Sequence, residues 1–266
     1  MCERRLTAVQ QLERCNTLSD LAAAFGIDQV SPFESPVVAR LYDALLCYER
    51  ASMIRGVVDD FYAAIGTPVA GSSFLEVGCG SGRVLIEMAN RILQPDCSFV
   101  GVDPSSEMIA IAEENLAKHS VPANVRFFTG SMLDASAVEE IRAVDFVIVR
   151  NTISWMSNAD ASIRAALQCL KPGGKVLIRE LRRDAYFPLL KTRIRNCLAF
   201  QAGGITLAYP PSAMVAAYRS AMTLAEILAL LGRCGVSVNT VRPNENDNAI
   251  TEPWGVEMFL TGVKKL

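Results

Sequence analysis

From Ser72 onward the chain alternates short apolar runs with stretches of helical periodicity. The runs are F-L-E-V (74–77), S-F-V-G-V (98–102), V-R-F-F (125–128), V-D-F-V-I-V (144–149) and K-V-L-I-R-E-L (175–181). Near-continuous apolar runs of this length, each followed by a helical pattern, predict strands of a parallel sheet covered on both faces. Two further runs, V-S-V-N-T-V (236–241) and V-E-M-F-L-T-G-V (256–263), are separated by the polar loop R-P-N-E-N-D-N-A-I-T-E-P. With no crossover helix between them they predict an antiparallel hairpin at one edge.

Residues 1–70 read instead as helices, broken at S-P-F-E-S-P (31–36), where each proline pushes the serine before it out of helical geometry. Beyond the break, Val37, Val38, Leu41, Ala44, Leu45 and Tyr48 recur at helical spacing, as do Ile54, Val57, Val58, Phe61 and Ile65. The expected organisation is a helical cap over 1–70 and an α/β domain over 71–266. Within the latter, a lid-like insertion spans 182–222, where A-G-G-I-T-L-A-Y-P-P (202–211) joins flexible glycines to a stiff Pro-Pro.

Composition narrows the class. A chain of 266 residues, 51% apolar, can bury a large core. The net charge of −2 gives no electrostatic reason to expect nucleic acid as a partner. The N-terminal stretch lacks a signal-like apolar run and no later stretch suits a bilayer, so a soluble, cytoplasmic protein without membrane contact is expected. Eight cysteines are scattered without a C-x-x-C pair, which suggests neither a metal site nor a disulfide framework.

The candidate chemistry begins at F-L-E-V-G-C-G-S-G-R-V (74–84). A strand running into glycines at a helix mouth brings backbone close to a ligand, and the helix N-terminus adds unpaired N–H groups. Gly78, Gly80 and Gly82 make G-x-G-x-G, whereas the dinucleotide fingerprint puts its third glycine where this chain has Arg83. Asp103 ends the next strand, in G-V-D-P-S (101–105), where an acid accepts hydrogen bonds from a ribose diol. Loop and acid together point to an adenosine-type ligand.

With L-E-V-G-C-G-S-G-R (75–83), V-D-P-S-S-E-M-I (102–109) and L-K-P-G-G-K-V-L-I (170–178), the chain resembles the class I S-adenosylmethionine-dependent methyltransferases over roughly residues 70–265. The resemblance implies a Rossmann-like, doubly wound sheet of seven strands with the last antiparallel, and S-adenosylmethionine as cofactor. Carried over by position, Glu76 and the loop of Gly78, Cys79, Gly80 and Gly82 would hold the methionine moiety. Asp103 and Pro104 would lie at the ribose, Met108, Ser131 and Met132 at the adenine, and Arg150 beside the cofactor at the end of the fourth strand. The family often has G-D-x after the third strand. Here the stretch is G-S-M-L-D (130–134), which leaves the adenine contact to Ser131 or to Asp134 folding back.

Methyl transfer is an in-line displacement, so the protein mainly aligns the reactants and excludes water. His119, the single histidine, falls at a predicted helix end away from the strand ends, and no general base is evident. Tyr42, Asn151, Trp155, Arg179, Arg182 and Tyr209 are the candidate substrate residues. Trp155 flattens against a planar substrate or belongs to the core. The run from Arg179 to Arg195 is either a solvated face or the source of an arginine that forks onto an anionic acceptor. The expected activity is methylation of a small metabolite at an O, N or C atom. The alternatives are methylation of protein or RNA, and a non-catalytic cofactor-binding partner.

Overall fold

The computed structural model describes residues 7–26, 32–48, 51–92, 94–119, 124–135, 141–184, 191, 194–195, 198, 211–243 and 257–265. Seven strands form one sheet: β1 (Ser73–Val77), β2 (Ser98–Asp103), β3 (Asn124–Thr129), β4 (Val144–Arg150), β5 (Leu170–Leu181), β6 (Val236–Pro243) and β7 (Glu257–Lys264). Their order is β3-β2-β1-β4-β5-β7-β6, with β1 to β5 parallel and β7 antiparallel to both of its neighbours. The fold class expected from the sequence is therefore the one observed. The terminal hairpin also forms, with β6 at the edge and β7 folded in beside β5.

Alternation along the central strands sends side chains into two separate cores. On one face Leu75, Val77, Val100, Val147 and Ile178 meet helix α8 (Ala159–Gln168) and a helix at Leu224–Arg233. On the other, Phe74 stacks between its register partners Phe99 and Phe146, with ring centroids 4.5 and 4.6 Å apart. That face is covered by α5 (Arg83–Arg91) and α4 (Ala51–Ile65). All five apolar residues marked in the 54–65 segment, from Ile54 to Ile65, are buried there. Helix α4 thus belongs to the layer that covers the sheet.

Helix α3 (Pro36–Tyr48) is turned differently from its apolar pattern. Val37 is 67% exposed, while Ala39 is buried and packs with Met108 and Ile111 of α6 (Ser106–Ala117). The cause is a charge: Asp43 points inward to pair with Arg83, and its side chain is 14% exposed. At the N-terminal end, α1 (Ala8–Arg14) and α2 (Leu18–Phe25) share a third core with α9 (Pro211–Ser220), built from Leu12, Leu21, Met214, Val215 and Tyr218. The late insertion therefore ends against the N-terminal helices. Among the described residues no single helix is long and apolar enough to cross a membrane; α9 and the 224–233 helix reach that length only as a pair bent by 47°.

Candidate functional site

A cavity of about 340 Å³ opens at the carboxyl ends of β1, β2 and β4, where open α/β sheets bind ligands. Its floor is the glycine loop between β1 and α5. Gly78, Gly80 and Gly82 all have positive φ, of 67°, 52° and 73°. Two of them are glycine for want of space. A Cβ on Gly78 would lie 2.0 Å from Thr152 Oγ1, and one on Gly82 would lie 2.6 Å from the Phe127 ring. At Gly80 a Cβ would meet nothing within 4 Å, so there the constraint is conformational. Cys79 turns away from the cavity and fills the space above Gly101, whose own Cβ would lie 2.8 Å from its sulfur. Burial holds that thiol well above its usual range.

Asp103 locks the loop in place. Its Oδ2 accepts the N–H of Gly80 at 2.9 Å and its Oδ1 accepts the N–H of Ser105 at 3.0 Å. Burial raises its pKa, and these two amides partly offset that. Under the loop Glu76 is fully buried, and its Oε2 has no hydrogen-bond partner among the described residues. Burial pushes the Glu76 carboxyl up to about 8; Arg150 and the Leu85 N–H oppose the shift and Asp103 adds to it. Burial thus raises both carboxyls, and at Asp103 the two amides work against it.

The second wall follows β4. Asn151 adopts a left-handed φ of 48° that few non-glycine residues occupy, and its buried Oδ1 lacks a partner among the described residues. The turn it starts is held from β5: Glu180, fully buried, accepts the N–H groups of Thr152 and Ile153 at 2.7 Å each. Trp155 at the end of this turn meets Phe33 edge to face at 5.4 Å, and Phe33 meets Tyr42 in the same way at 5.0 Å. The Phe33–Glu34 turn is tied down by Ser105 Oγ, which donates to the Phe33 carbonyl at 2.7 Å. An aromatic cover thus lies opposite the polar floor.

The comparisons with known proteins agree with this geometry. Residues 74–174 match the family model described as a methyltransferase domain. A mitochondrial ubiquinone biosynthesis O-methyltransferase of Rattus norvegicus is 30% identical over 118 residues, 44% of this chain and 33% of that protein. An arsenite methyltransferase of Halobacterium salinarum is 23% identical over 197 residues, 74% of this chain and 45% of that protein. The chain therefore spans less than half the length of either relative. Over residues 74–174 the chain is thus similar to methyltransferase domains. Its fold is shared with the plantazolicin methyltransferase BpumL, solved with a triazolic desmethylPZN analog and SAH. That match has a TM-score of 0.62 at 15% identity and covers 94% of this chain and 98% of that one. The SAH-bound magnesium protoporphyrin IX methyltransferase of Synechocystis PCC 6803 matches with a TM-score of 0.53 at 16% identity, over 80% and 83% of the two chains.

Ten of the expected site residues line the cavity: Gly78, Asp103, Pro104, Met108, Ser131, Met132, Arg150, Tyr42, Asn151 and Trp155. Met108 is both wall and core, because it also packs on Ala39. Ser131 donates to Asp134 at 2.6 Å, so the serine faces the cavity and the acid backs it from outside. Glu76, Cys79, Gly80 and Gly82 lie in or under the loop. Arg179 and Arg182 are not brought to the cavity: Arg179 is buried on the α4 side, 3.7 Å from Asp60, and Arg182 forks onto Asp184. Lys191 donates to the Cys15 carbonyl at 2.8 Å and Arg195 pairs with Glu13, both at the end of α1. Tyr209 lies outside the described residues. Phe33, Glu34, Thr152 and the supporting Glu180 were missed; the signal for the first two was an aromatic-acid pair between the prolines of S-P-F-E-S-P.

Proposed function

We propose that this protein is an S-adenosylmethionine-dependent methyltransferase whose acceptor is a small molecule, held between the glycine loop, the turn after β4 and the aromatic cover. The observation that carries this reading is the Asp103–Gly80 bond, which fuses a diol-binding acid to a G-x-G-x-G loop on the cavity floor. The residues fit an adenosyl cofactor. Asp103 keeps lone pairs for ribose hydroxyls, while the buried Oε2 of Glu76 and Oδ1 of Asn151 are acceptors that need a donor. Met108 and Met132 supply apolar surface on the side where Ser131 offers a polar edge.

Bound there, the cofactor supplies a methyl group on a positively charged sulfur. Glu76 and the loop amides hold the amino acid end, and Arg150, the single cation on the described wall, balances the carboxylates around it. Phe33, Tyr42 and Trp155 exclude water, which favours an in-line displacement over a solvated encounter. A cover of α3 and the 33–34 turn suits a small acceptor. The named relatives, which include enzymes of ubiquinone biosynthesis and arsenite methylation, support the same size class.

The experiment is incubation of the protein with methyl-labelled cofactor and separate metabolite, protein and RNA fractions. Label in a small-molecule product is the expected result. Label in either macromolecular fraction would overturn the acceptor class, and label in none would favour a binding partner without catalysis.

A further inference from the structure

The residue that ends the glycine motif, Arg83, does not face the cavity. Its Nε and Nη2 fork onto Asp43 of α3 at 2.6 and 2.8 Å. Nη2 also donates to Asn115 Oδ1 of α6 at 3.2 Å. Asn115, 1% exposed, returns two bonds through Nδ2, to Asp43 Oδ1 at 3.1 Å and to the Ser81 carbonyl in the loop at 3.0 Å. Four segments (α3, the loop, the first turn of α5, and α6) thus converge on one largely buried cluster. A guanidinium in the first turn of a helix works against the helix dipole, so its place there calls for a nearby anion. Asp43 is that anion, and it is the residue next to Tyr42 of the cavity wall.

The contrast with the neighbouring contact is informative. Arg40 also forks onto α6, at Glu114, with both side chains about half exposed. Exposed pairs of that kind contribute little, whereas buried bidentate pairs fix geometry. The Asp43 cluster also reaches the loop backbone itself, through the Ser81 carbonyl.

We propose that Asp43, Arg83 and Asn115 are positioning residues that clamp α3 to the glycine loop, so that the loop's ligand-binding shape and the docking of α3 over the cavity stabilise each other. The clamp rests on the cofactor reading for its function but not for its existence. A ligand in the cavity touches both the loop and Tyr42, so it tightens the clamp, and a loosened clamp weakens the ligand.

Hydrogen exchange of loop residues 78–86 and of α3, without ligand and with S-adenosylhomocysteine, tests this in wild type, Asp43→Asn, Arg83→Lys and the control Arg40→Ala. Without ligand, Asp43→Asn should speed exchange about tenfold in both segments together, with strands β4 and β5 unchanged. Arg83→Lys, which keeps the charge but loses the fork, should do the same more weakly and serves if Asp43→Asn does not fold. Both should bind S-adenosylhomocysteine about tenfold more weakly, and Arg40→Ala should change neither reading. Loosening of α3 alone, with the loop unmoved, would overturn the proposal. If wild type failed to bind the nucleoside, the cofactor reading would fall, and the ligand-free arm would still decide whether the clamp exists.

Discussion

The N–H of Gly80 donates to Oδ2 of Asp103 at 2.9 Å, joining the glycine loop to the acid at the end of the next strand across 23 residues of sequence. Asp103 thus shapes the loop while also lining the cavity. Asp103→Ala should weaken S-adenosylhomocysteine binding by about 1–3 kcal/mol, the usual cost of leaving buried hydrogen-bonding groups unpaired. Asp103→Asn keeps one acceptor oxygen and should lose less. Titration calorimetry reads both, and an unchanged affinity in the alanine variant would remove Asp103 from the site.

Glu76 should make stability depend on pH. Its folded-state carboxyl, pushed up to about 8 by burial, keeps a proton that the unfolded chain has already released above its ordinary value of 4.5. The folded state binds more protons in that window, so stability falls as pH rises from about 5 to 8, by up to about 1.4 kcal/mol per unit. Asp103 is shifted in the same direction and adds to the slope. Glu76→Gln should flatten the profile and gain on wild type toward pH 8. Urea unfolding across that range is the check, and parallel profiles would show that Glu76 is ionised in the fold.

Glu180 is predicted to act on the acceptor through the turn it holds. Glu180→Ala strands the amides of Thr152 and Ile153, and so frees Asn151 and Trp155 from their places on the wall. KM for the acceptor should rise more than KM for the cofactor. Glu180→Gln keeps a carbonyl oxygen for both amides and should restore most of the activity. A native acceptor KM in the alanine variant would limit Glu180 to the core.

The basic run after β5 should divide by partner. Arg182→Ala and Arg195→Ala break pairs that are substantially exposed and should cost about 0–1 kcal/mol with turnover kept. Arg179→Ala removes a buried cation and should lower thermal stability more than either. Arg150→Ala, at the cavity wall, should reduce turnover most. Turnover lost in Arg182→Ala with melting unchanged would place Arg182 on the substrate after all.

These results show where the sequence could be read. Strands buried on both faces appear as continuous apolar runs, and Phe74, Phe99 and Phe146, each in such a run, stand in register across three neighbouring strands. The glycine loop was legible because backbone geometry, with φ values of 52–73°, restricts residue type at each position. Charge pairing was not legible, since a partner depends on tertiary approach: Lys191 caps carbonyls at the end of α1, 176 residues away. For the same reason the inward turn of α3 was hidden. Its apolar stripe favours Val37, while the Asp43–Arg83 pair decides the orientation.

The central claim is that the G-x-G-x-G loop and Asp103 form an adenosyl-cofactor site rather than a dinucleotide site. Calorimetric titration of the purified protein with S-adenosylmethionine, S-adenosylhomocysteine and NAD tests it most directly. Saturable binding of both sulfur nucleosides with no heat from NAD is the predicted result. Tight binding of NAD, with no response to either sulfur nucleoside, would contradict it.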